Sequence, residues 1–186
     1  MSRRISATGH GHRPPTGPAF DIVLLLHVAA VVVGLGAVVT SGIQAARLLS
    51  VSGDGRRAQA AELPASLREY FAPGVNWVGR TLYAVPVLGF VLLGMSHGAY
   101  GVNDAWVQGG LVLWVAATVV AEWLHWPVER RIQSLLAGEP TAPTPSTAPT
   151  DDRRSELRRA CRSLCVTSAG LAGILVAAIV LMVSRP

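Results

Sequence analysis

Long apolar blocks alternate with polar stretches along this chain, and the blocks are too long and too uniformly apolar for the core of a water-soluble domain. The first, FDIVLLLHVAAVVVGLGAVVTSGIQAARLL over residues 20–49, has no formally charged residue between Asp21 and Arg47. That exceeds the roughly 20 residues needed to cross a hydrocarbon core of about 30 Å. Similar blocks follow over residues 77–99, 106–126 and 164–183. The pattern predicts an all-α fold, a four-helix transmembrane bundle, because a helix satisfies its own backbone groups where no water can. An amphipathic extension continues the third block to residue 137, with Val128, Ile132, Leu135 and Leu136 apolar and Glu129, Arg130 and Arg131 solvated.

The polar stretches divide the rest. Residues 1–19 carry Gly and Pro without periodicity and read as a disordered tail. Residues 138–150, GEPTAPTPSTAPT, read as an extended Pro/Thr-rich linker inside a single membrane domain over residues 20–186. Pro64 opens a short surface helix with Leu67, Tyr70 and Phe71 on one side. Within the blocks, small residues recur at helical spacing: Ala30, Gly34 and Gly42 beside Ala37, Ser41 and Ala45, then Cys165, Ala169, Gly173 and Ala177 at four-residue steps. Such rows are expected to be close-packing seams, since helices associate in lipid through backbone proximity and dispersion. Pro86 interrupts the second block, and the carbonyl it frees requires another partner inside the bundle. Trp106, Trp123 and Trp126 mark the two ends of the third block, as interfacial belts do.

Half of the 186 residues are hydrophobic, and every one of the sixteen basic residues is arginine. We read the absence of lysine as codon bias of a GC-rich bacterial genome. The net charge of +5 does not point to nucleic acid, because the arginines sit at the ends of apolar blocks and no basic, aromatic-interleaved surface stretch occurs. The expected partners are the lipid bilayer and, through the small-residue faces, other membrane proteins or a second copy of the chain. Twelve arginines flank the connections after the first and third blocks, and four lie in the N-terminal tail and at the C-terminus. The positive-inside rule therefore expects a multi-pass protein of the bacterial plasma (inner) membrane with both termini outside.

Few side chains suggest chemistry. His27 lies inside the first block, and an imidazole within a membrane segment is a functional hypothesis by default, with His97 of the second block as its candidate partner. Two neutral imidazoles from facing helices suit a haem iron or a metal, and one suits a quinone carbonyl. The competing expectation is an interhelical hydrogen bond for His27 and an interfacial cap for His97. Glu122 and His125, at i and i+3, share a helix face and make half of a carboxylate metal site at most; an ion pair of Glu122 with Arg80 or Arg162 competes with it. His10 and His12 in the tail are likewise half a site. Cys161 and Cys165 are spaced for a thiolate pair but also continue the small-residue row of the fourth block, and packing is the expectation. No nucleophile elbow, phosphate loop or dinucleotide signature occurs. The function expected from the residues is a membrane accessory or scaffold component of unassigned biochemical role, not an enzyme. The alternative is a small haem- or quinone-linked redox protein using His27 and His97.

Four pieces, LLLHVAAVVVGLG, RTLYAVPVLGFVLLG, WPVERRI and the terminal LMVSRP, together resemble a family of small bacterial four-helix integral membrane proteins of unknown function. In helix layout and first-helix histidine that family is similar to the copper-resistance D-type membrane proteins and to the membrane protoporphyrinogen oxidases that work with haem. The resemblance implies a haem-associated site onto which His27 and Arg47 carry over. The tryptophan those oxidases carry after the histidine is absent, and with no lysine in the chain their third-helix lysine has no counterpart.

Overall fold

The first apolar block folds as one helix, α1, Pro18–Gly53, in a computed structural model that describes residues 17–53, 64–74, 77–137 and 150–184. The tail with His10 and His12, the linker through Pro149 and the pair Arg56 and Arg57 lie outside the described residues. At 36 residues α1 is about 54 Å long at 1.5 Å per residue, well beyond the thickness of a hydrocarbon core. Its inward positions are Gly34, Val38, Ser41, Ala45 and Leu48, alternating steps of four and three that keep one stripe on its neighbours. Gly34 and Ala45 are thus seam residues as expected.

The short surface helix forms as α2, Ala65–Tyr70, with Leu67 and the following Phe71 buried. The second block is shorter and less regular than the expected helix over 77–99. It opens with a 3-10 turn, Gly79–Tyr83, and continues as α3, Ala84–Met95. Pro86 explains the tight start: it cannot donate to the carbonyl of Leu82, and the indole Nε1 of Trp114 donates to that oxygen instead, at 3.1 Å. The partner required by the freed carbonyl comes from the third block.

That block, expected as one helix from 106 with an extension to 137, is α4, Ala105–Val120, a π-helical turn, Ala121–His125, and α5, Trp126–Ala137. The π turn ends two residues before Pro127. A proline in mid-helix clashes with the carbonyl four residues earlier and lacks an N–H for it, and a widened turn at that place relieves both. The last helix, α6, Thr150–Val183, begins fourteen residues before the expected 164 and absorbs the charged stretch ahead of it into 34 continuous residues.

Among the described residues no strand occurs, and three helical stretches are long and apolar enough to cross a membrane: Pro18–Val51, Ala105–Ala137 and Asp152–Val183. The fourth apolar stretch, Gly79–Met95, is shorter. By this length and composition the chain is compatible with a membrane protein. Its exterior agrees, since Leu25, Val32, Val112, Val166 and Val180 are each 58–72% exposed, an apolar surface that water would not tolerate. Helix α1 packs on α6 and α3, and α6 also packs on α4 and α5. Two buried clusters follow one another along the bundle, one around Val38, Leu82, Ala117 and Leu171, the other around Leu48, Phe71, Ile132 and Leu164.

The small-residue row expected for the fourth block needs correction. Ala169, Gly173 and Ala177 face outward, and a side chain built on Gly173 would meet nothing within 4 Å. The buried stripe is Cys161, Leu164, Ser168, Leu171 and Leu175, again in steps of three and four. The closest approach of α1 to α6 is at Gly42, where a Cβ would stand 2.8 Å from that of Ser168.

Candidate functional site

The polar centre of the bundle is built on Ser41, which α1 turns onto the π segment and α6 at once. Its Oγ lies 2.8 Å from the Val38 carbonyl, 3.2 Å from Nε2 of His125 and 3.3 Å from Oγ of Ser168. All three side chains are buried. A serine hydroxyl has one proton and two acceptor positions. Its proton goes to Val38, the shortest contact and the only partner that can do nothing but accept. His125 Nε2–H and the Ser168 hydroxyl then donate into the two lone pairs. The assignment makes His125 the Nε2–H tautomer and leaves Nδ1 a bare acceptor, and that atom is buried with no hydrogen-bond partner among the described residues. Cys165, one turn before Ser168, directs its Sγ at the Gly42 carbonyl, 3.5 Å away.

This arrangement separates Glu122 from His125, which an α-helix would place on one face. In the wider π turn, residues three apart no longer align, and His125 points into the core while Glu122 points to the neighbouring 3-10 turn. There the Tyr83 hydroxyl donates to the Glu122 carboxylate. Glu122 makes no ion pair with Arg80 or Arg162 within 4 Å among the described residues. Arg80 instead lies over aromatic rings, its guanidinium carbon 5.3 Å from the centre of Trp126 and 5.9 Å from that of Trp77. Tyr83 and Trp126 also touch, their centroids 5.9 Å apart.

His27 and His97 are not brought together. His27 continues the inward stripe of α1 and lies against Gly89 of α3, where a Cβ would sit 3.5 Å from its Cε1. Nδ1 of His27 is buried without a partner among the described residues, although the Val85 backbone offers the ring an acceptor nearby. Gly34 lies against Leu82 and His27 against Gly89, so the antiparallel register sets His97 level with the first turn of α1, about 10 Å further along the axis. His97 is exposed in the turn after α3, at φ 49°, and Gly98 follows at φ 83°. It ends the helix in a left-handed conformation. Cys161 is buried in the second cluster and Cys165 partly buried, both as free thiols. No group of three or more His, Cys, Asp or Glu side chains is placed to hold a metal ion among the described residues.

The Ser41–His125–Ser168 cluster is what sequence reasoning missed. Its one signal was Pro127, from which a distortion of the preceding turn follows; which way His125 then points depends on the kind of distortion. The chain matches no family model, no curated protein and no solved structure.

Proposed function

We propose that the chain is a four-helix membrane protein, with Gly79–Met95 as the fourth crossing, that serves as an accessory or scaffold component of a bacterial plasma membrane. The observation that supports this reading is the use of the buried polar groups. Ser41 ties α1 to both the π segment and α6, Trp114 ties α4 to the turn before α3, and Tyr83 ties that turn to Glu122. Each of these bonds joins one helical segment to another, which is what a framework for assembly requires. The arginine distribution supports both termini outside. The test is purification of the chain in mild detergent with its native lipids, followed by mass analysis of the intact assembly. A membrane-protein partner or a defined oligomer in constant stoichiometry supports the scaffold, and a monomer that turns over a substrate overturns it.

The second reading, a haem- or quinone-linked redox protein, is favoured by one observation, the partnerless buried Nδ1 of His27 beside a glycine. An iron held between His27 and His97 does not fit, because the two residues stand at different heights. A single ligand from His27, or its hydrogen bond to a quinone carbonyl, fits the ring's surroundings. An absorption spectrum of the same preparation separates the readings: a Soret band lost in His27→Ala and kept in His97→Ala supports this one, and a colourless, quinone-free protein removes it.

A further inference from the structure

Arg80 is a half-buried cation that meets no acceptor among the described residues. It lies in the 3-10 turn Gly79–Tyr83 with its guanidinium over the rings of Trp77 and Trp126. A ring face attracts the cation but satisfies none of the five guanidinium N–H donors. The carboxylate of the same cluster, Glu122, accepts from Tyr83 instead. A charged group half removed from water with its donors unmet is costly, so an anion from outside the protein belongs beside it.

The tryptophans say at what level it lies. Trp77 is 73% and Trp123 77% exposed, and exposed indoles at the end of a membrane span lie at the level of lipid headgroups. The anion available at that level is a lipid phosphate. We propose that Arg80, beside the rings of Trp77 and Trp126, binds the phosphodiester of an anionic phospholipid. The rings attract its charge and leave its N–H donors for two parallel N–H···O bonds, the geometry that arginine offers phosphate.

The preference for a net anionic lipid comes from the next layer outward. Arg47, Arg130 and Arg162 are exposed on α1, α5 and α6. The contacts of Ser41 with His125 and Ser168 place all three at nearly one height, five or six residues and about 8 Å beyond that cluster. A zwitterionic headgroup would present its ammonium to these guanidinium groups, whereas a glycerol headgroup presents none.

The test is native mass spectrometry of the full chain with phosphatidylglycerol or phosphatidylcholine, beside thermal melting in detergent. Wild type is expected to retain phosphatidylglycerol at least five-fold over phosphatidylcholine, about the factor that a single arginine near an anionic surface supplies at ~1 kcal/mol. Arg80→Gln should lower retention of both lipids more than two-fold, because the phosphodiester that Arg80 binds is common to them. Arg80→Lys, which keeps the charge and carries the test if the glutamine variant does not fold, should lower retention of both lipids as well, since an ammonium cannot make the bidentate pair of bonds. Arg131→Gln should change nothing, because Arg131 already pairs with Glu156 at 2.5 Å. Phosphatidylglycerol should raise the melting temperature and inorganic phosphate at equal concentration should not. Equal retention of the two lipids, undiminished lipid retention in both Arg80 variants, or full stabilisation by inorganic phosphate would each overturn the proposal.

Discussion

Ser41 decides what kind of base His125 is. With its own proton on the Val38 carbonyl, it obliges the imidazole to donate from Nε2, so Nδ1 keeps a lone pair inside the bundle. Replacing Ser41 by Ala removes the acceptor for two donors at once, yet each is released into a membrane protein, where lost interhelical bonds have modest effects. We expect Ser41→Ala to destabilise by about 0.6 to 1.7 kcal/mol in reversible unfolding from mixed micelles, and to couple with His125→Ala in a double-mutant cycle. Strictly additive effects would show that the 3.2 Å contact is not a hydrogen bond. His97 poses the opposite case. Its left-handed backbone, φ 49°, strains an L-residue and suits glycine. His97→Gly should stabilise the protein by about 0.5 kcal/mol and His97→Val should destabilise it, both read from thermal melts.

At the level of elements, the two prolines in helical blocks have different consequences, and each has a test. Pro86 leaves the Leu82 carbonyl to Trp114. Trp114→Phe should cost about 1–3 kcal/mol beyond its packing, the penalty of an orphaned buried acceptor, and much of that cost should vanish in a Pro86→Ala background, where an N–H returns. Equal costs in both backgrounds would disprove the exchange of partners. Helix packing makes a second contrast. Gly42→Leu drives a side chain into Ser168 and should lower stability by several kcal/mol, whereas Gly173→Leu meets open space and should be tolerated in the same unfolding assay. These cases mark what was legible in the sequence. The long α1, the amphipathic α5, the short α2 and the demand created by Pro86 follow from length, periodicity and a missing N–H, although Glu129 of α5, expected in solvent, is buried. The inward stripe of α6 was hidden because small residues every four positions suggest a seam by themselves, while the real seam alternates steps of three and four around Leu164, Ser168 and Leu171. His125 was hidden by the π turn, which changes the angular relation that an i, i+3 spacing implies, and the separation of His27 from His97 is set by the α1–α3 register, which neither helix encodes alone.

At the scale of the whole molecule, the lengths do not match a bilayer. α1 and α6 run for 36 and 34 residues, more than 50 Å each, so roughly 20 Å of helix must stand beyond a hydrocarbon core of about 30 Å. The second buried cluster, with Leu48, Phe71, Ile132 and Leu164, packs with α2 and α5 at the end of the bundle where this excess would stand. Its outer face carries Arg130, Arg158, Arg159 and the Arg131–Glu156 pair, a surface made for water. We therefore expect a small helical lobe continuous with the spans and projecting on the arginine-rich side. In a background with Cys161→Ala and Cys165→Ala, single cysteines at Ser134 and Arg158 should react with a membrane-impermeant maleimide, and single cysteines at Val112 and Val180, which face outward from the apolar spans, should not. With both termini outside, the reactive positions label in inverted vesicles and stay protected in intact cells. Labelling in intact cells would reverse the topology and leave the lobe in place. Protection of Ser134 and Arg158 from both sides, with the protein still folded, would mean that the arginine-bearing helices lie within the bilayer and that the lobe does not exist.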